Sequence, residues 1–208
     1  MEITYFGHSC FKIEKDGFSI IIDPYKTGSV PGYEPLKEKA NSVLSTHRHD
    51  DHFGLSEVRL SDTRIDTPFV VDMIETYHDD KEGALRGTDN VIIIEADGMK
   101  IVHMGDIGCD LPDEDLEKIK GCDVLMIPVG GFFTIDAGQA FRMIGKIEPA
   151  TAIPMHYRGP SFGYDVIGTL ETFTDMFDEK DILRTGSVIE LDSRPAGHKI
   201  TVMKPMKA

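Results

Sequence analysis

The chain has 208 residues, of which 40% are hydrophobic and 28% are charged, and its formal net charge at pH 7 is −14. This length predicts a single domain over residues 1–208, with two small halves as the alternative. The acidic balance disfavours nucleic acid as a partner, and no stretch has the roughly 20 apolar residues that a membrane span needs.

The N-terminal residues enter a strand pattern without a basic segment before an apolar core. We therefore expect no secretory signal and a cytoplasmic protein. The three cysteines, Cys10, Cys109 and Cys122, have unrelated spacings, which favours reduced, buried thiols over a disulfide framework.

The first 40 residues predict two strands, over residues 3–14 and 18–23, and then a loop. Asp16-Gly17 between the strands is a common hairpin turn. Pro24 ends the second strand because proline has no N–H to donate to a neighbour. Residues 25–40 hold several glycines and prolines, and this loop is long enough to form a lid over a site.

Strands and helices alternate in the second half of the chain. Asp97-Gly98 predicts another hairpin turn, and Asp136 is the expected N-cap of an amphipathic helix. Further strands are predicted over residues 68–71, 90–95, 100–106, 123–129, 150–156, 187–191 and 199–203. Helices are predicted over residues 51–60, 112–120, 136–147 and 167–180. This order favours two sheets packed face to face with helices outside, a four-layer α/β sandwich.

The densest group of candidate ligands is His47-Arg48-His49-Asp50-Asp51-His52, which follows a predicted buried strand. Imidazole and carboxylate together suit zinc, manganese or iron. His47 and His49 are two residues apart, so in an extended segment they point to the same side. Asp51 and His52 lie one step into the following turn and are expected to point to a neighbouring position. A solvated polar turn is the alternative interpretation.

Three more candidate ligands, His78, Asp106 and His156, follow predicted strands. Binding sites in α/β folds form at such strand ends. His78 could complete a site with the first pair of the 47–52 segment, and His156 could complete a site with the second pair. Asp106 has two carboxylate oxygens and could bridge the two. A pair of metals about 3.5–4 Å apart can generate a nucleophile and stabilise a leaving oxygen.

In type and order, these motifs resemble those of the metallo-β-lactamase superfamily. Within it, the chain is similar to the small single-domain metal-dependent hydrolases related to L-ascorbate-6-phosphate lactonase. The segments that carry this similarity are Tyr5-Phe6-Gly7-His8-Ser9, Ile22-Asp23-Pro24, Tyr77-His78-Asp79-Asp80, His103-Met104-Gly105-Asp106 and Met155-His156-Tyr157.

The resemblance implies an αββα sandwich of two mixed sheets with helices outside. It also implies two divalent metal ions, zinc or manganese with iron as a third choice. One would be held by His47, His49 and His78, the other by Asp51, His52 and His156. Asp106 would bridge the two metals, and Asp23 would brace the histidine-rich loop from behind.

Several other side chains have two open interpretations. His8 could be structural or contact substrate, whereas His103, three residues before Asp106, is expected in the core or behind the ligands. Four loop residues are candidates for binding an anionic substrate, with solvated side chains as the alternative. They are Tyr157 and Arg158, and also Arg86 and Tyr164.

The sequence therefore predicts a binuclear metal-dependent hydrolase that cleaves an ester, lactone or phosphoester bond of a small molecule. Asp51 would orient the nucleophile and accept a proton. One alternative is a non-hydrolytic redox or sensor module of the same fold, although His49 stands where flavodiiron oxidoreductases of this fold usually carry glutamate. Another is a nuclease, which the acidic charge disfavours. A homo-oligomer is compatible with the sequence.

Overall fold

The computed structural model describes all residues, 1–208. The strands are β1 (Glu2–Gly7), β2 (Cys10–Lys15), β3 (Phe18–Ile22), β4 (Glu38–Ala40), β5 (Ser42–Leu44), β6 (Val58–Leu60), β7 (Val70–Tyr77), β8 (Thr88–Ala96), β9 (Met99–His103), β10 (Val124–Pro128), β11 (Thr151–Met155), β12 (Ile182–Thr185), β13 (Val188–Glu190) and β14 (Ile200–Met203). The helices are α1 (Asp113–Ile119), α2 (Ala137–Ile147) and α3 (Leu170–Thr174), with short 3₁₀ turns at Leu55–Glu57 and Glu179–Asp181.

Two mixed sheets form the centre of the molecule. The five-stranded sheet has the order β13-β1-β2-β3-β5, in which only β3 and β5 are parallel neighbours. The seven-stranded sheet has the order β12-β14-β11-β10-β9-β8-β7. Its strands from β12 to β9 run parallel, and β8 and β7 are antiparallel. The predicted pair of mixed sheets is confirmed, and β4 and β6 form a small separate ribbon.

The main core lies between the two sheets. Alternate residues of β1 and β2, including Ile3, Tyr5 and Phe11, meet Ile92 and Met126 of the seven-stranded sheet. Successive strand residues point to opposite faces, so each sheet has a second apolar face to cover. The strand β10 is buried on both faces, as its continuous apolar sequence predicts.

All three helices pack against the outer face of the seven-stranded sheet. The predicted helix cap at Asp136 is confirmed: its carboxylate accepts the Gln139 N–H at 2.8 Å, and the Gln139 side chain accepts the Asp136 N–H at 2.9 Å. None of these helices combines the length and apolar character needed to cross a membrane.

The outer face of the five-stranded sheet is covered by the 25–40 loop rather than by helices. Tyr25, Val30, Tyr33 and Leu36 are buried against this face. The loop therefore forms a fixed layer of the core, and the prediction of a lid is wrong because opening it would expose these side chains to water.

Two predicted helices are wrong or too long. Residues 51–60 form turns and then β6, because the backbone of Gly54 donates to Pro24 rather than to a helical turn. Of residues 167–180, only α3 and a 3₁₀ turn are helical. Gly168 N–H donates to Gly130 O and Gly168 O accepts from Arg158 N–H, so these groups are not available to extend the helix.

The strand predictions also need three corrections. Residues 3–14 are two antiparallel strands, because the Gly7-His8-Ser9 break reverses the chain. The strand before His78 is longer than predicted, and β12 was missed altogether. The hairpins at Asp16-Gly17 and Asp97-Gly98 are confirmed.

Candidate metal centre

The candidate ligands converge because each follows the end of a strand at one edge of the sandwich. The 47–52 segment follows β5, His78 follows β7, Asp106 follows β9 and His156 follows β11. Parallel neighbours such as β9, β10 and β11 end at the same edge. The topology thus brings together side chains that are more than 100 residues apart in the sequence.

The first predicted ligand group is present as a cluster. One ligand atom from each of His47, His49 and His78 lies within 4.8 Å of the others. His47 and His78 are buried, whereas His49 is exposed. This leaves the His49 side of the group open to an incoming molecule.

The second predicted ligand group is also present, with one addition. Asp51, His52 and His156 cluster within the same 4.8 Å limit, and His8 is the fourth member. The His8 and His156 ring centroids are only 4.1 Å apart. The Gly-His-Ser break at residues 7–9 was the available signal in the sequence, but it did not distinguish a structural histidine from one in the site.

Asp106 lies between the two groups. Its Oδ2 is 3.1 Å from Nε2 of His52, 3.1 Å from Nε2 of His156 and 3.4 Å from Nε2 of His78. His47, His52 and Asp106 form a further cluster of candidate ligand atoms. A carboxylate in contact with histidines of both groups is in the position expected of a bridging ligand.

The hydrogen bonding fits bound metal ions. The Nε2 atoms of His47, His52 and His156 and Oδ1 of Asp106 are buried and make no hydrogen bond of acceptable geometry, although two of these Nε2 atoms lie 3.1 Å from Asp106 Oδ2. Buried polar atoms normally have partners, and leaving several together without one is costly. Neutral imidazole nitrogens and a carboxylate oxygen are good ligands for zinc and similar metals, so divalent cations would satisfy these atoms.

Asp23 braces the 47–52 segment, as the resemblance implies. Its carboxylate accepts the Thr46 backbone N–H at 2.7 Å and the Thr46 hydroxyl at 2.8 Å. It also lies 2.7 Å from Nδ1 of His52. A carboxylate that accepts Nδ1–H leaves Nε2 free to face the centre and fixes the ring orientation.

Asp89 contacts Nδ1 of His47 in the way that Asp23 contacts Nδ1 of His52. The sequence did not predict this role. Oδ1 of Asp89 is 3.0 Å from Nδ1 of His47, and its side chain is fully buried. Burial, together with the charges of Asp106 and Asp23, raises the pKa of Asp89 well above its ordinary value. A cation at His47 would favour the ionised form, which accepts Nδ1–H. The available signal was an aspartate in an inward-facing position of β8.

His103 is a core residue, as predicted. Its Nε2 lies 2.9 Å from the Ser9 carbonyl oxygen, and its Nδ1 accepts the Gly105 N–H at 3.1 Å. Both ring nitrogens are therefore used, and the ring ties the turn after β1 to the end of β9. Among the cysteines, Cys10 and Cys122 are buried as predicted, but Cys109 is partly exposed beside Thr76, so that prediction is corrected.

The charges around Asp51 favour its ionised form. Burial alone raises the pKa of this carboxyl, but His52 and His8 outweigh that effect and hold the pKa far below its ordinary value. Asp106 behaves similarly: burial raises its pKa, and His156 and His52 lower it well below the ordinary value. Both carboxylates are thus ionised and available as metal ligands.

The two residues favoured for substrate contact point elsewhere. Tyr157 is buried in the core on the helix-covered face. Arg158 donates from Nε to the Ile167 carbonyl at 2.8 Å and lines a separate surface cavity. The prediction for this pair is corrected, because their backbone follows the candidate ligand His156 while their side chains turn away from it.

Tyr164 and Arg86 are the loop residues beside the centre. The Tyr164 hydroxyl donates to the Ser29 carbonyl at 2.9 Å and lies 3.4 Å from Asp51 Oδ2. Burial and the neighbouring Asp51 raise the pKa of Tyr164 above its ordinary value, so it stays protonated. Arg86 donates from Nη2 to the Phe132 carbonyl at 2.9 Å and lies over the Phe133 ring.

Comparisons with known proteins agree with this geometry. A profile of the Beta-lactamase superfamily domain matches residues 2–156. A metal-dependent hydrolase of Alkaliphilus metalliredigens is 30% identical over 76% of this chain and 85% of its own length. Another, from Carboxydothermus hydrogenoformans, is 27% identical over 76% of this chain and 84% of its own.

A solved structure from Thermotoga maritima, described as a candidate Zn-dependent hydrolase of the metallo-β-lactamase superfamily, is 29% identical and covers 97% of both chains with a TM-score of 0.73. Its fold matches the two-sheet sandwich described above. With the profile match and the clustered histidines and aspartates, this shows that the chain belongs to the metallo-β-lactamase superfamily.

Proposed function

We propose that this chain is a binuclear metal-dependent hydrolase that cleaves an ester, lactone or phosphoester bond of a small molecule. The observation that carries the proposal is the pair of ligand clusters with Asp106 between them. The relatives named as metal-dependent hydrolases support the hydrolytic class. The unit proposed to act is the single domain over residues 1–208.

Two divalent ions would be held by separate sets of side chains. His47, His49 and His78 would hold one, and Asp51, His52 and His156 the other, with Asp106 shared. The mixture of imidazole and carboxylate supports zinc or manganese, with iron as a third choice. The Thermotoga maritima protein, described as Zn-dependent, favours zinc first.

Bound metals would supply Lewis acidity and a nucleophile at neutral pH. The chain's own residues would position and protect the reacting groups. Asp51 is ionised and 16% exposed, so it can orient the nucleophile, and it is the proposed acceptor of the nucleophile's proton. Tyr164 stays protonated beside it and can donate a hydrogen bond to a substrate oxygen if its bond to Ser29 is exchanged.

The proposed partner is a small-molecule substrate. The net charge of −14 disfavours nucleic acid, and we propose a cytoplasmic location, which the free cysteines support. The candidate ligand groups all come from one chain. The proposed function therefore does not require an oligomer, and a homo-oligomer is compatible with it.

The first test is metal content and hydrolysis by the same preparation. Mass spectrometry of bound metal should give about two equivalents of zinc or manganese per chain, as expected for a two-metal site. The loaded protein is then screened against lactones, phosphodiesters and thioesters. Oxygen reduction without hydrolysis would favour the redox alternative and contradict the proposal.

Substitutions then test the assignment of residues. Asp51→Asn should lower kcat/KM by about 100-fold or more, in the range for loss of a general base, and His49→Gln should also abolish turnover. Asp50→Asn is the matched control, because Asp50 is exposed and pairs with Lys26. Full activity in Asp51→Asn with unchanged metal content would contradict the role given to Asp51.

A further inference from the structure

A cleft opens beside the first ligand group. It has a volume of about 540 Å³, and His47 and His49 form part of its wall. Phe53 and Leu55 give it an apolar side, and Arg48 and Arg86 stand in its lining. A molecule bound here would therefore contact His49, the exposed member of the proposed metal ligands.

The charge of the cleft is opposite to that of the whole protein. The chain has 36 acidic and 22 basic residues, yet the lining contains no aspartate or glutamate. The arginines that pair with a carboxylate within 4.0 Å are Arg59, Arg184 and Arg194. The guanidinium groups of Arg48 and Arg86 have no such partner, so their charge is available to a ligand.

Most of the neutral polar groups in the lining already have protein partners. Ser45 donates to the His52 carbonyl at 2.8 Å, Thr46 donates to Asp23, and Asn90 donates to the Thr46 carbonyl at 2.7 Å. The donors left for a ligand include the two guanidinium groups and the hydroxyl of Thr88. Such a set of donors recognises an oxyanion.

Arg86 is held in a defined position by the hydrogen bonds of its loop. The buried carboxylate of Asp79, next to His78, accepts four backbone N–H groups of the 79–87 loop, including that of Arg86 at 2.7 Å. The Arg86 guanidinium is fixed by the Phe132 carbonyl and lies 5.8 Å from the Phe133 ring centroid. Arg48 lies 5.8 Å from the Phe53 ring centroid. Both cations are thus oriented by aromatic rings without being neutralised.

We propose that this cleft binds a carboxylate or phosphate group of the substrate, with Arg86 and Arg48 as its ligands and Thr88 as an additional donor. The apolar wall of Phe53 and Leu55 would hold the adjoining part of the molecule. That the bound molecule is then cleaved rests on the proposed hydrolase function, but binding of the anion does not.

The test measures binding of three probes that share a benzene ring to the zinc-loaded protein by calorimetry. Phenyl phosphate and benzoate carry the two candidate anions, and benzamide is neutral. Arg86→Gln and Arg48→Gln should each raise the Kd of an anionic probe about tenfold or more, as for the loss of a charged hydrogen bond. Benzamide binding should not change. A phosphate or carboxylate preference shows which anion the cleft selects.

Two further variants control for folding and for charge alone. Arg59→Gln removes an exposed arginine paired with Asp62 and should leave all three Kd values unchanged. Arg86→Lys keeps the charge but loses the planar donor pair, so its Kd should lie between those of the wild type and Arg86→Gln. Anion binding within twofold of wild type in both glutamine variants would overturn the proposal.

Hydrolysis assays distinguish the anion-binding assignment of the cleft from the hydrolase assignment of the metal centre. If the zinc-loaded protein cleaves no substrate but Arg86→Gln still loses anion binding, the cleft assignment stands and the hydrolase assignment falls. If it cleaves neutral and anionic esters with the same kcat/KM, and Arg86→Gln changes neither, the cleft assignment falls and the hydrolase assignment stands.

Discussion

Nε2 of His8 lies 3.2 Å from Oδ2 of Asp51, a contact between residues 43 positions apart. It joins the turn between β1 and β2 to the 47–52 segment. His8 is fully buried in a left-handed backbone conformation, with φ of 56°. Burial and the neighbouring His156 lower the pKa of His8 to about 4. At neutral pH the uncharged ring therefore donates to the ionised Asp51.

We predict that His8 positions the Asp51 carboxylate. His8→Asn removes the ring and its reach to Asp51, while asparagine tolerates the left-handed backbone better than most residues. The expected result is a loss of about 10- to 100-fold in kcat, the range for residues that orient metal ligands. The measurements are kcat, KM and zinc content.

The control for His8→Asn is His198→Gln, since His198 lies beside the Lys180 carbonyl in a late loop and should have no effect. Because His8 acts through Asp51, its loss should appear mainly in kcat, and adding His8→Asn to Asp51→Asn should cost little more. Additive losses in the double variant would show that His8 acts independently of Asp51.

Asp89 should set the metal affinity of the first ligand group. Asp89→Ala removes the carboxylate beside His47 Nδ1 and leaves the Thr46 hydroxyl, also 3.0 Å away, as its neighbour, so the basicity of the ring falls. The zinc affinity of that position should drop about 10- to 100-fold, measured by competition with a chromogenic chelator. Glu95→Ala is the matched control, because Glu95 lies at the other end of β8 and pairs on the surface with Lys100. Unchanged zinc affinity in Asp89→Ala would contradict this role.

The sequence alone predicts the candidate ligands and the arrangement of the two sheets. The candidate ligands were predictable, because His47, His49, His78 and the others are clustered histidines and aspartates in the segments that follow strands, where binding sites form in α/β folds. The two-sheet sandwich followed from strand clustering and two hairpin turns. Both predictions depend on residue patterns within single short segments of the chain.

The features that the sequence did not predict depend on contacts between distant segments of the chain. His8 and Asp89 contact candidate ligands that lie 43 and 42 residues away, and no local pattern encodes such a pairing. Tyr157 follows a candidate ligand in sequence, but its side chain packs in the core on the helix-covered face. The 167–180 helix is shortened because Gly130 and Arg158 bond the backbone of Gly168. Tertiary hydrogen bonds of this kind override local propensity.

Asp79 should stabilise the loop that carries Arg86. Asp79→Ala leaves four backbone N–H groups without their acceptor, so we expect the thermal midpoint to fall by several degrees and anion binding in the cleft to weaken. Asp80→Ala is the control, because Asp80 is exposed and contacts only Lys81. Equal midpoints for the two variants would rule out this role for Asp79.

The stabilisation from Asp79 should depend on pH. Burial raises the pKa of this carboxyl, but the N–H groups of Arg86, Lys81, Leu85 and Gly83 outweigh burial and lower the pKa below its ordinary value. A lowered folded-state pKa means that the stabilisation is complete above the unfolded-state value of about 3.9 and is lost as the pH falls through the folded-state value. The difference in thermal midpoint between wild type and Asp79→Asn should be constant from pH 7 to pH 5 and narrow below pH 4. A difference that widens on acidification would contradict this sign.

Gly105 tests whether the packing around Asp89 is as tight as the distances indicate. It has φ of 57°. A Cβ at this position would lie 2.7 Å from Oδ1 of Asp89 and nearer still to Oδ2, well inside van der Waals contact. Gly105→Ala should therefore destabilise the fold by about 1–3 kcal/mol, the cost of a strained left-handed residue, and should weaken zinc binding through Asp89. In Gly145→Ala the new Cβ meets no atom within 4 Å, and α2 should gain about 0.5–1 kcal/mol from the better helix former. Urea unfolding of the two variants should thus give changes of opposite sign. If both alanines stabilise the protein, the close approach between Gly105 and Asp89 does not constrain the site.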